Sequence, residues 1–222
     1  MKRFSLALLA ITFLGLSGFS QSTDFGIWYC LKGSLALTRY LDFNLEGDIR
    51  TFENNSKIDE GFGEAGLSLK AFRFLSTGLS YRLTSKIEKD DNYYLRHKLF
   101  VWLKGKADIG RVGLSCRLMY EHQVKTYINN ENDEIPVNHL RIKPEVTYDI
   151  PKSRFEPVIY YEMFERLGET SEKRLDKYRI SAGMAYKINK RNKIEISYIF
   201  QRDYHPDLID TNIISLSYDF KI

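Results

Sequence analysis

The chain has 222 residues and a formal net charge of +4, from 33 Lys and Arg against 29 Asp and Glu, and it is rich in tyrosine and phenylalanine, with 15 and 14. The length suits one domain. The charges are mixed along the chain with no basic cluster, which excludes a nucleic-acid binder. The negative mean hydropathy, with no long apolar run beyond the first 20 residues, excludes a bundle of membrane helices but permits a membrane barrel, where only alternate residues meet lipid.

Lys2 and Arg3 precede the apolar run 4–16, and Gly18-Phe19-Ser20 follows. This order predicts a signal peptide over residues 1–20, cut before Gln21, with a barrel over 21–222. No Cys follows the cut, which argues against a lipid anchor. Residues 24–37 alternate at Phe25, Ile27, Tyr29, Leu31, Leu35 and Leu37, with Trp28 on the opposite face. A period of two is a strand. Leu41, Phe43, Leu45 and Ile49 then alternate with Asp42, Asn44, Glu46, Asp48 and Arg50, and Ala65, Leu67 and Leu69 with Glu64, Ser68 and Lys70. Leu79, Tyr81, Leu83 and Ile87 oppose Ser80, Arg82, Thr84 and Lys86.

The middle strands are less regular. Tyr93, Leu95, Leu99, Val101 and Leu103 oppose Arg96 and Lys98, but His97 interrupts the first face and Phe100 and Trp102 the second. A turn is expected at 105–108. Val112, Leu114, Cys116, Leu118 and Tyr120 oppose Arg111, Ser115, Arg117 and Glu121. The longest loop, 126–136, is followed by Leu140, Ile142, Pro144 and Val146 against His139, Arg141, Lys143 and Glu145. A proline inside a strand cannot donate to the ladder, so a bulge is expected at Pro144. Ile159, Tyr161 and Met163 oppose Tyr160, Glu162, Phe164 and Arg166; Ile180, Ala182 and Met184 oppose Arg179, Ser181 and Lys187; Ile194, Ile196 and Tyr198 oppose Lys193, Glu195 and Ser197. The last stretch, 211–222, puts Ile214, Leu216, Tyr218, Phe220 and Ile222 on one face, with Ile213 the apolar intruder on the other.

Segments of this length exceed soluble strands and suit a bilayer. Connections alternate short and long, the pattern of periplasmic turns and outer loops. The fold class expected is therefore an all-β antiparallel transmembrane barrel of ten to twelve strands. The segments number eleven, whereas bacterial single-chain barrels have even counts, so twelve is the favoured number. The C terminus then lies in the periplasm. Aromatic girdles are expected from Tyr93, Tyr120, Tyr148, Tyr178 and Phe220, near strand ends on the apolar face.

In such a barrel the charged face must point inward. Arg117, Glu121, Arg141, Glu145, Glu162, Arg166 and Arg179 share one parity on neighbouring strands, so they are the candidate lumen charge ladder. At an effective dielectric near 20, opposite charges about 4 Å apart attract by roughly 4 kcal/mol before desolvation is subtracted. Cys30 and Cys116 could pair in an oxidising compartment, or each could serve as a small apolar filler, the favoured reading.

The segments R-L-M-Y-E (117–121), H-L-R-I-K-P (139–144), Y-Y-E-M-F (160–164) and Y-R-I-S-A-G (178–183), with the closing L-S-Y-D-F-K-I, resemble an outer-membrane barrel family catalogued as domain of unknown function 2490. The resemblance implies location and fold but no reaction. Expected partners are outer-membrane lipids, lipopolysaccharide and the barrel-assembly machinery, engaged through the C-terminal strand.

Three functions stay open: solute passage or ligand binding, which includes a structural role; an outer-membrane enzyme acting on lipid, lipopolysaccharide or peptide; and a secreted soluble barrel. His97, His122, His139 and His205 show no serine partner at short spacing, so no catalytic residue is assigned. No phosphate loop, zinc spacing or haem motif appears, and no cofactor is expected. The acidic loop 129–134 could hold calcium through its oxygens, though a solvated loop is the simpler reading.

Overall fold

A computed structural model describes residues 23–88, 90–126, 136–168, 174–204 and 208–222. The signal-peptide reading, His205 and the acidic loop 129–134 fall outside these residues. The described chain forms eleven strands: β1 (Thr23–Ala36), β2 (Leu41–Phe52), β3 (Lys57–Phe72), β4 (Leu75–Ile87), β5 (Tyr93–Ile109), β6 (Val112–Lys125), β7 (Val137–Tyr148), β8 (Phe155–Arg166), β9 (Leu175–Lys187), β10 (Asn192–Asp203) and β11 (Ile209–Lys221). They close into one barrel in sequence order.

Two expectations are corrected. The described residues form eleven strands, not the favoured twelve, because β1 (Thr23–Ala36) is an ordinary strand. Closure is also not antiparallel throughout: β1 pairs with β11 in parallel, from Thr23 opposite Asp210 to Ser34 opposite Lys221. An odd count forces this, since a meander that closes on itself brings its first and last strands together running the same way. Thr23 therefore stands on the rim of the longer connections and Ile222 on the rim of the shorter ones.

The alternation read from the sequence sorts the side chains radially. Leu31, Leu45, Ile49, Leu79, Leu99, Ile159 and Ile196 are all exposed on the outer wall, while Phe62, Phe100, Phe164, Glu121 and Glu162 are buried inside. Period two leaves no other choice once the ladder is closed. Aromatic clusters gather near both rims. Tyr178 contacts Tyr161 and Tyr204 at the long-connection rim, with ring centroids 6.0 and 6.2 Å apart. At the other rim Phe155 and Tyr186 lie 5.0 Å apart, and Phe72 stacks on Phe74 at 5.6 Å.

Local details depart from the sequence reading. There is no bulge at Pro144. The β7–β8 ladder keeps one register on both sides, Ile142 opposite Met163 and Glu145 opposite Tyr160, and is merely interrupted between them. Pro144 still pairs in register with Cys116 on β6, so the lost donor affects one neighbour only. The turn expected at 105–108 falls instead at Gly110 and Arg111. Gly110 has φ +62°, a conformation glycine adopts freely, whereas Gly105 continues the strand. The alternation of connection lengths is looser than expected: residues 37–40 and 53–56 make the first two, four residues each.

Candidate functional site: the occluded barrel interior

Eleven strands enclose a space too wide for aliphatic side chains to fill from the wall. This barrel fills it with arginines and aromatic rings. Trp28 on β1 faces the Arg50 guanidinium of β2 at 3.9 Å. Arg50 lies 5.0 Å from Phe62 on β3, and Phe62 is 3.6 Å from Arg82 on β4. Arg82 reaches Phe100 on β5 at 5.0 Å, and Phe100 faces Arg141 on β7 at 5.9 Å. Arg141 covers Phe164 on β8 at 4.3 Å, Phe164 meets Arg179 on β9 at 4.8 Å, and Arg179 returns to Trp28 at 4.7 Å. The circuit is closed, and cations and rings alternate around it.

The last link spans two strands, β10 and β11. At the level of Trp28 the wall carries short residues: Ser215 on β11 sits opposite Trp28, Ser197 on β10 opposite Ser215, and Gly183 on β9 opposite Ser197. Their small volume leaves room for Arg179 to reach across. Every member of the belt is nearer the long-connection end of its strand than the other end; Arg50, for example, precedes Phe52 by two residues, and Phe164 precedes Arg166 by two.

Carboxylates neutralise the guanidiniums. Arg50 binds Asp48 at 2.9 Å and Glu60 at 2.6 Å. Arg82 binds Glu64 at 2.6 Å. Arg141 donates to Glu121 at 3.0 Å and to Glu162 at 2.8 Å. Arg179 donates to Gln201 at 2.7 Å and lies 3.6 Å from Glu162. A desolvated cation over a ring gains about 2 kcal/mol, and buried ion pairs survive only when each charge is hydrogen-bonded. Here each guanidinium has a carboxylate partner.

The seven residues of the candidate ladder all face inward, at three levels. Glu121, Arg141, Glu162 and Arg179 belong to the belt, and Arg117 joins them through Glu162 at 3.3 Å. Glu145 lies lower, 3.5 Å from Lys104 and within reach of Ser115. Arg166 lies higher, 3.2 Å from Asp176, whose other oxygen is 3.2 Å from His139 Nε2. Asp176 is the extra residue of a bulge, since Phe164 pairs with Lys177 and Glu165 with Leu175.

Sequence reasoning missed the aromatic half of the belt, and it placed Arg50 and Arg82 on the inward face without including them in the ladder. The signal available was aromatic residues on the charged parity, Trp28, Phe62, Phe100 and Phe164. His97 and His122 point outward and engage Tyr81 and Asn138, at 2.5 and 2.7 Å. Cys30 faces the interior and Cys116 the outer wall, and both are free. The ligating atoms of Cys30, Glu46 and Asp48 lie within 4.8 Å of one another. Asp48, however, is already held by Arg50, and Arg82 stands 3.9 Å from Glu46, so the set is matched to cations of the chain itself.

A family model described as "Protein of unknown function (DUF2490)" matches residues 25–212. The chain belongs to this family. The DUF2490 match runs from β1 into β11 and therefore includes every residue of the belt. No curated protein matches the chain.

Proposed function

We propose that this DUF2490 protein is an integral barrel of a Gram-negative outer membrane, closed to passive flow, whose interior takes up a small polar solute from the short-turn side. The observation that carries the reading is the closed belt of buried side chains round the interior, with a cavity of about 310 Å³ on its short-turn side, reaching Lys221 near that rim. A signal peptide over residues 1–20 would export the chain. The short turns and the C terminus would then be periplasmic. The outer wall of leucine and isoleucine between two aromatic rims would meet lipid and lipopolysaccharide, and the C-terminal strand would engage the assembly machinery.

Two measurements test this. Refolded mature protein in a planar bilayer is expected to be electrically silent; reproducible ohmic steps would overturn the closed-barrel reading. Ile196 is 54 % exposed on the outer wall of β10. Ile196→Arg is expected to lower stability in liposomes by about 2–4 kcal/mol, because the charge would enter hydrocarbon. A loss within about 0.5 kcal/mol, the usual range for a water-exposed position, would instead indicate a soluble barrel.

A further inference from the structure

We propose that the cavity below the belt binds a small anionic sugar, a hexose-sized polyol carrying a carboxylate or a phosphate. The inference rests on the reading of this chamber as a solute site. The chamber exists because four successive strands present short inner residues at one level: Ser34, Asn44, Gly66 and Ser80. A Cβ at Gly66 would fall 2.5 Å from Ser80 Cβ and 2.8 Å from the Leu79 carbonyl oxygen, so nothing larger fits there.

Lys32, Lys104 and Arg117 converge on the space from three strands, and Lys221 stands at its rim. Lys32 lines the chamber and is enclosed by protein, with Glu46 and Asp219 as its counter-charges but no described carboxylate in direct contact. Lys104 and Arg117 also line it. Each is tied to one carboxylate, Glu145 at 3.5 Å and Glu162 at 3.3 Å, and keeps 27 % and 30 % of its side chain exposed. Such groups still have donors to offer, and charge-assisted bonds to a carboxylate or phosphate are the strong ones.

Charge is not the whole lining, and this points away from a bare anion. Trp102 lines the chamber, and its ring is held against Gly78, where any Cβ would collide with it. A fixed indole offers an apolar face for the C–H side of a pyranose ring. Glu46 adds acceptors for hydroxyl groups; Asp219 also lines the chamber, but its Oδ2 is held by Lys193 at 3.2 Å and its Oδ1 is buried. Inorganic phosphate would use the cations alone and leave the ring and Glu46 unused.

Calorimetry on the refolded full barrel in detergent tests the assignment with four probes: glucuronate, glucose 6-phosphate, glucose and inorganic phosphate. At least one of the first two is expected to bind, and which one does identifies the acidic group. Glucose and phosphate are expected to bind at least tenfold more weakly. Lys32→Ala is expected to weaken binding at least tenfold in a barrel that still folds, as retained heat-modifiable migration on a gel would show. Equal binding of neutral glucose, an unchanged affinity in Lys32→Ala, or no binding of any probe overturns the proposal, and a silent bilayer recording would leave the closed barrel standing. Conversely, glucuronate binding by a barrel that conducts would sink closure alone.

Discussion

Glu162→Ala is expected to cost about 3–5 kcal/mol of folding free energy, the range for stripping one partner from a buried ionic network. Glu162 is 3 % exposed. It accepts from Arg117 at 3.3 Å and Arg141 at 2.8 Å, and it is the carboxylate nearest Arg179, at 3.6 Å. Without it Arg179 keeps only the neutral Gln201, and Arg141 must rely on Glu121. Guanidiniums that were matched would then hold charge among phenylalanine rings. Urea titration of the refolded protein in liposomes would measure the loss. Adding Arg141→Ala should cost less than the sum of the two single changes, with a coupling of about 0.5–3 kcal/mol, because the second substitution removes one of the stranded charges. A loss under about 1 kcal/mol for Glu162→Ala, the value of an exposed pair, would mean that water screens the belt.

The double variant Trp28→Ala/Arg179→Ser is expected to turn a silent barrel into a conducting one. These two side chains form the link across β10 and β11, where the inner wall carries the opposed serines Ser197 and Ser215 next to the opposed isoleucines Ile199 and Ile213. The substitution leaves the other charges paired: Arg50 retains Asp48 and Glu60, and Glu162 retains Arg117 and Arg141. Opening should therefore not require unfolding, which retained heat-modifiable migration on a gel would confirm. Single-channel recording gives the result. A folded but silent double variant would show that the two isoleucines, buried at 2 % and 1 % exposure, seal the interior without the belt.

Which way each side chain points was readable residue by residue. Leu216, Tyr218 and Phe220 alternate with Ser215, Ser217 and Asp219, and a period of two can be satisfied only by an outer and an inner face. From that followed the barrel, the inward parity of Arg117, Glu121, Arg141, Glu145, Glu162, Arg166 and Arg179, and the family resemblance. The exceptions to the pattern, Trp28, Phe100, Phe164 and Ile213, were visible too, but parity says only that they face inward, not what they meet there.

Contacts across the barrel depend on closure. Trp28 and Arg179 lie far apart in the chain and touch because β1 pairs with β11 in one parallel register. Strand number, register and the level of each side chain together decide whether inward charges form a single ladder or, as here, a belt with an ion pair above it and a chamber below. Local alternation carries no information about level, since a shift of two residues preserves every inward and outward assignment while moving each side chain by two residues' rise, roughly 7 Å, along the axis. Direction was thus set by the amino-acid order itself, whereas height, partner and empty space were set by how the eleven strands came together.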